Sequence, residues 1–141
     1  MNLNDIVDIA ASGLSAQRVR LAVTASNLAN AETTRTPEGG PYQRRDPIFR
    51  SKSSVGPFSS RLDHAMRRVD VRRIAFDESE PISRFDPSHP DADRDGFVQL
   101  PNVNIVREMS NMMSASRSYE ANLVSIRKVR AIAEAALRIG R

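Results

Sequence analysis

Cysteine and tryptophan are both absent from the 141 residues. Without thiols there is no disulfide and no thiolate-bound metal. That fits the cytoplasm, and equally a protein that ends in an oxidising space without needing cross-links. Aromatic residues are scarce, at 5% of the chain. A compact domain of this length would bury a larger core than they can supply. Much of the apolar surface is therefore expected to be covered by helix lying on helix, within the chain or between chains.

Long apolar runs are missing as well. None approaches the ~20 residues that span a bilayer. Residues 1–14 carry Asp5 and Asp8 and no cation, whereas a secretory leader begins basic and ends at a small-residue cleavage site. Export, where it occurs, is expected to use a route that reads no cleaved signal. Nor is there a block of like charge. The net charge is +4, spread without a run of five or six basic residues. A nucleic-acid binder concentrates basic charge on one face and adds a recognition element. Neither is visible, so no nucleic-acid partner is expected.

What the chain does have lies at its two ends. Leu3, Val7, Ala10, Leu14, Gln17, Leu21, Thr24 and Leu28 alternate spacings of four and three, the a/d seam of a coiled coil. A second stripe, Ile6, Ile9, Gly13, Ala16 and Val23, lies beside it. An apolar arc that wide implies more than one neighbour. The spacing predicts a helix of about 40 Å, capped by Asn4 or Asp5 and ending near Asn30, where Thr33, Thr34, Thr36 and Pro37 disfavour continuation. From Asn102 the helical pattern returns: Ile105, Met109, Met112, Ser116, Tyr119, Leu123, Ile126, Arg130, Ala133 and Leu137 again alternate four and three. Asn102 or Asn104 suits its entrance and Gly140 its exit, giving a helix of roughly 55 Å. A further flank of Val129, Ile132, Ala136 and Ile139 exceeds what one partner helix covers.

The middle is different. Residues 33–41 contain Pro-Glu-Gly-Gly-Pro and predict a turn. Strands are expected over 42–49 and 69–76, the second with a one-residue slip in its alternation that reads as a bulge. Between them, 50–60 is Ser/Gly-rich and expected to be flexible. Four prolines in 77–101 predict an extended arm with one short strand at 96–100. The expected class is mostly α with a small β insert: a coiled-coil-like pair of terminal helices (1–32 and 102–141) joined by a loop and β connector (33–101).

Motifs for chemistry are weak. Asp91-Ala-Asp93-Arg-Asp95-Gly96 fits the opening of a calcium loop, but its twelfth position is Asn102 where a bidentate carboxylate is needed. A polar turn with Gly96 at positive φ is the plainer reading. His64 and His89 stand alone, without a ligand cluster for zinc. No nucleophile elbow or oxyanion loop is present, and Gly39-Gly40 lacks the Lys and Ser/Thr of a phosphate loop. Asp77, Glu78 and Glu80 read as a solvated acidic patch rather than catalytic carboxylates in a cleft. No enzyme, cofactor, metal or small-molecule substrate is expected. The Met109, Met112 and Met113 stripe is a core contact or an adaptable groove. That groove, with the Asp-rich loop, leaves a soluble calcium-responsive or adaptor-binding protein as the alternative.

Several stretches resemble a known family. Ala11-Ser-Gly-Leu-Ser-Ala-Gln17 and Leu21-Ala-Val-Thr-Ala-Ser-Asn27-Leu-Ala-Asn30-Ala-Glu-Thr33 closely resemble the N-terminal signature of bacterial flagellar rod and hook proteins. Thr36-Pro-Glu-Gly-Gly-Pro-Tyr42, Asp86-Pro-Ser-His-Pro90, Gly96-Phe-Val-Gln-Leu-Pro-Asn-Val-Asn104 and Met113-Ser-Ala-Ser-Arg-Ser-Tyr-Glu-Ala-Asn122 are similar to one branch, the proximal rod proteins. Residues 50–80 match no motif of it. The resemblance implies a structural subunit of the flagellar basal body, exported by the flagellar type III apparatus without a cleaved signal and polymerised into the periplasm-crossing rod. Its implied partners are copies of itself, other proximal rod subunits and the adaptor between rod and export gate.

Subunit contacts are expected at Leu3, Val7, Ala10, Leu14, Leu21, Asn27, Leu28, Asn30, Met109, Met112, Tyr119, Leu123, Ile126 and Leu137. Asn27 and Asn30, both in the signature, are expected to fix the helix end and its turn. Gly13 and Ala16 are expected to allow close helix approach. Because neither stripe can be sealed in one chain, the ends are expected to order fully only on assembly.

Overall fold

A computed structural model describes residues 3–53 and 67–139. The order is α1 (Leu3–Ala29), β1 (Arg45–Ser53), β2 (Arg67–Phe76), β3 (Ile82–Phe85), β4 (Phe97–Leu100) and α2 (Ile105–Ile139). Two long terminal helices thus flank a middle of small antiparallel sheets.

α1 begins at Leu3, one residue before its expected caps, so Asn4 and Asp5 lie in its first turn. α2 starts where Asn104 caps it: the Asn104 side-chain oxygen accepts the Arg107 N–H at 2.9 Å. The preceding Pro101 is buried and keeps Leu100 extended. Gly140, the expected exit, lies outside the described residues.

The two helices run antiparallel. Gly13 of α1 stands against Asn122 of α2, and Asn27 against Glu108. Positions advance equally in opposite directions, so Leu3 stands level with Ile132. About seven residues of α2, some 10 Å, run on past the described start of α1.

β1 and β2 pair antiparallel, with a register shift where Ile48 faces Arg73 and Phe49 faces Val71, leaving Arg72 as the extra residue. This is the slip seen in the alternation. β1 starts later and runs further than expected, because Tyr42 is drawn into the core while Arg50–Ser53 pair with β2. The stretch expected to be flexible therefore begins inside a strand; 54–60 lie outside the described residues. The hairpin lies along α1: Arg68 pairs with Asp8 at 2.7 Å, Val69 N–H donates to Ser12 Oγ at 3.1 Å, and the Arg20 guanidinium sits 5.0 Å over the Phe49 ring.

β3 pairs antiparallel with β4. The sequence suggested only the second of these strands, since β3 is four residues long and fully exposed. Val98 points inward and is fully buried. Gly96, at φ +83°, precedes β4, and a Cβ there would lie 2.9 Å from the Phe85 ring. Both facts require glycine.

Candidate subunit interface

The buried apolar residues are few and small: Ala16, Val23, Tyr42, Val98, Val103 and Ala115. Tyr42, Val98 and Val103 belong to the connector and its junction with α2, so much of the core gathers at one end of the helix pair. At that end a polar cluster ties three segments together. Asn27 Nδ2 donates to Glu108 Oε2 at 3.1 Å and to the Arg45 carbonyl at 2.8 Å. Its Oδ1 accepts the Arg45 N–H and the Tyr42 hydroxyl, both at 2.9 Å. One amide thereby uses all four of its hydrogen-bonding positions.

Glu108 is 1% exposed and accepts from Arg44 Nε at 2.9 Å and Asn111 Nδ2 at 3.3 Å. Burial works against the Arg44 charge. The Glu108 carboxylate overrides it by hydrogen bond and by field, and the guanidinium is held above its ordinary pKa. A buried carboxylate without such partners would be strongly unfavourable. Asn30 closes the helix: its amide donates to the Ser26 carbonyl at 2.8 Å, and its oxygen accepts the Thr33 hydroxyl at 3.2 Å. Neither Glu108 nor Arg44 stood out in the sequence. Each is one charged residue among many, and only the long-range pairing gives it a role.

The face that α1 turns to α2 follows the second stripe more than the heptad one, although Thr24 of the heptad stripe is buried as well. It runs through Gly13, Ala16, Val23 and Asn27, and meets Glu108, Ala115 and Asn122 of α2. A Cβ on Gly13 would lie 3.1 Å from the Asn122 amide, so small residues set the helix spacing. The predicted seam sits to one side. Val7, Ala10, Leu14, Leu21 and Leu28 are half-buried, as are Met112, Tyr119, Leu123 and Ile126. Met109 is exposed, and Leu137 lies on the overhang, 74% exposed. Leu3 opens α1, but its side chain lies outside the described residues. With Ile105, Val106 and Met113, Met109 makes an exposed apolar patch at the start of α2. The heptad rule selects the largest apolar side chains, whereas the contact within the chain is made by small and polar ones.

The Asp-rich loop is engaged in its own turn. Asp93 Oδ1 accepts the N–H groups of Asp95 and Phe97 at 2.9 and 2.8 Å. Asp91 accepts the Thr34 hydroxyl at 2.7 Å, and its N–H donates to His89 Nδ1 at 3.1 Å. Among the described residues no group of His, Asp and Glu is arranged to hold a metal. His64 lies outside them. No described helix is long and apolar enough to cross a membrane.

The same segments that carry this geometry match known proteins. The family model described as "Flagella basal body rod protein" matches residues 8–35, and that described as "Flagellar basal body rod FlgEFG protein C-terminal" matches 94–139. The chain is 42% identical over 149 aligned positions to the flagellar basal-body rod protein FlgC of Borreliella burgdorferi, covering 99% of this chain and 98% of that one. The chain belongs to the FlgC-type flagellar basal-body rod proteins. The FlgC of Salmonella typhimurium is 39% identical over 140 positions, with 99% of each chain covered. That of Bacillus subtilis is 39% identical over 146 positions, with 96% of each covered. Membership makes this chain a structural subunit of the flagellar basal-body rod, and does not favour the calcium-responsive alternative. The two family models cover most of the helix pair, with Asn27 and Glu108 of its polar cluster; Tyr42, Arg44, Arg45 and the β1–β2 hairpin fall in neither.

Proposed function

We propose that this FlgC-type subunit polymerises through its terminal helices into the proximal part of the periplasm-crossing rod and transmits torque there. The carrying observation is the division of labour on the helix surfaces. Within the chain, α1 and α2 meet through glycine, alanine, Val23 and a polar cluster, leaving the large apolar residues half-buried on the flank or exposed. Exposed apolar surface of this continuity marks contact with other proteins. Leu3, Val7, Ala10, Leu14, Leu21, Leu28, Met109, Met112, Tyr119, Leu123, Ile126 and Leu137 are the residues we assign to it. Asn27 and Asn30 hold the geometry from which it projects.

The helices form a coiled-coil-like pair in their seven-residue contact spacing, and neighbouring pairs complete the outer seams. A contact of this kind that joins unlike faces and does not close builds a helical filament. Packed apolar helices lying along its axis resist twist, because close-packed interiors are stiff. Segments 1–32 and 102–141 act as the rod helices and 33–101 as the connector. The partners are copies of this chain, the other proximal rod subunits and the adaptor to the export gate. Delivery is by the flagellar type III apparatus without a cleaved signal. The role is mechanical, with no catalytic step.

Val106→Asp and Met109→Asp test this reading. Both side chains are more than half exposed, so the variants are expected to be expressed and folded but to abolish swimming. Normal motility with both would refute the interface.

A further inference from the structure

The connector splits its charge between the β1–β2 hairpin and the segments that flank β3. The β1–β2 strands hold seven basic and two acidic residues, a formal +5. Residues 77–95 hold seven acidic and two basic, a formal −5. These charges are only partly neutralised within the chain. On the hairpin, Arg50 pairs with Asp70 and Arg68 with Asp8. Exposed Lys52, Arg67, Arg72 and Arg73 make no ion pair among the described residues. On the arm, Asp77, Asp86 and Asp91 have arginine neighbours. Exposed Glu78, Glu80, Asp93 and Asp95 have none among the described residues. Four cations without an ion pair thus match four carboxylates without one, of which Asp93 is engaged by its own backbone.

The two sets lie apart along the helix axis. The hairpin runs beside α1 as far as Asp8, where Lys52 and Arg67 sit next to Arg68 in the ladder. The arm is fastened beyond the other end of α1, through Thr34 and Asp91. Lys52 and Arg67 therefore stand about 30 Å from the arm's attachment at ~1.5 Å per residue and cannot reach it in one molecule, whereas Arg72 and Arg73 lie nearer the end of β2 that leads into the arm.

A second observation shows what the arm receives. A groove of about 410 Å³ lies between the loop after α1 and the acidic turn, lined among others by Asp91, Asp93, Phe97, Gln99 and the chain's own Arg35, which stands 4.0 Å from Asp91 and leaves Asp93 without a cation. Phe97 and the exposed Phe85 pack edge to face at 5.3 Å. Carboxylates beside an open aromatic face suit a guanidinium or ammonium group. The chain already uses this contact internally, with Arg45 5.2 Å over Phe76.

We propose that the basic β1–β2 face of one subunit docks on the acidic β3–β4 arm of a second copy displaced along the axis. The proposal rests on the rod reading and adds to it: beside the apolar helix contacts there is an electrostatic contact between the sheets. Because the joined faces differ and lie at opposite ends, the contact repeats without closing, and opposite charge fixes its direction.

The test is reciprocal charge reversal in full-length chains, expressed in cells lacking this subunit. K52E/R67E/R72E takes the β1–β2 strands from a formal +5 to −1, and E78R/E80R/D95R takes residues 77–95 from −5 to +1. Each variant alone is expected to lose swimming, since like faces then meet. The two expressed together are expected to restore it, because each altered face finds its complement on the other variant. Circular dichroism of each purified variant checks folding, and K52E/R72E/R73E replaces the hairpin variant if it does not fold. Wild-type swimming by either variant alone overturns the proposal, as does failure of the folded pair to rescue. Rescue by the wild-type chain separates these results from failure of the rod reading, which would deny rescue to every form.

Discussion

Asn27 and Glu108 stand 81 positions apart in sequence and 3.1 Å apart in the fold. Through this bond the end of α1, the start of β1 and the first turn of α2 share one buried network. It sets the antiparallel register that places Gly13 on Asn122. The outward direction of the apolar flanks depends on that register.

Removing the carboxylate should therefore be costly. Glu108→Ala leaves the Asn27 amide and the Arg44 guanidinium without their buried partner. Truncating one member of a buried charged pair typically costs 3–5 kcal/mol. Arg44 retains Asp46 and Asp77 at its partly exposed edge, so a loss of about 3 kcal/mol is expected in urea unfolding. Glu108→Gln should lose less, because the amide oxygen still accepts. A loss under ~0.5 kcal/mol for the alanine variant would show that the network is not structural.

Gly13 should respond to size. Alanine gains about 1 kcal/mol of helix propensity, but its Cβ would press the Asn122 amide at 3.1 Å. That amide ends a half-buried side chain that can move, so Gly13→Ala is expected within about 0.5 kcal/mol of wild type. Gly13→Leu has no room and should lose roughly 2 kcal/mol. Equal melting temperatures for all three forms would contradict the close approach.

Acid should act partly through Asp77. Its carboxyl is held below the usual range, first by the Ser79 hydroxyl, then by the Ser79 N–H and the nearby Arg44. A depressed folded pKa contributes stability above the unfolded value, and that contribution is lost as pH falls through the folded one. Thermal unfolding from roughly pH 5 to 3 should therefore show a smaller decline in Asp77→Asn than in wild type. Parallel declines would remove Asp77 from the acid response.

Calcium should do nothing specific. The Asp91–Gly96 loop spends Asp93 on its own backbone, and position 102 offers an amide. Titration calorimetry of the purified subunit is expected to show no saturable heat. A saturating isotherm abolished by Asp95→Asn would reverse this reading.

The two long helices, the bulge and the polar turn were legible in the sequence because each rests on local chemistry: 3.6-residue periodicity, a slipped alternation, an Asp-Gly turn. The face joining α1 to α2 was legible in part: Gly13, Ala16 and Val23 form the second stripe of α1, with Gly13 and Ala16 expected to allow close approach. On α2, Ala115 is unremarkable in a list, and Glu108 has the composition of a solvent position. β3 was invisible because four exposed residues between prolines carry no pattern; its pairing with β4 supplies the order. The charge split was hidden in the net charge of +4, which averages a basic hairpin with an acidic arm.

The central claim is that sister subunits cover the apolar surface left open on α2. The chain has no cysteine, so Met109→Cys and Ile132→Cys each place one thiol on that surface without background. Maleimide labelling is then compared between intact basal bodies and the isolated subunit. The account predicts rapid labelling in the free subunit and protection at both positions in the assembled rod; equal labelling in the two states would contradict it.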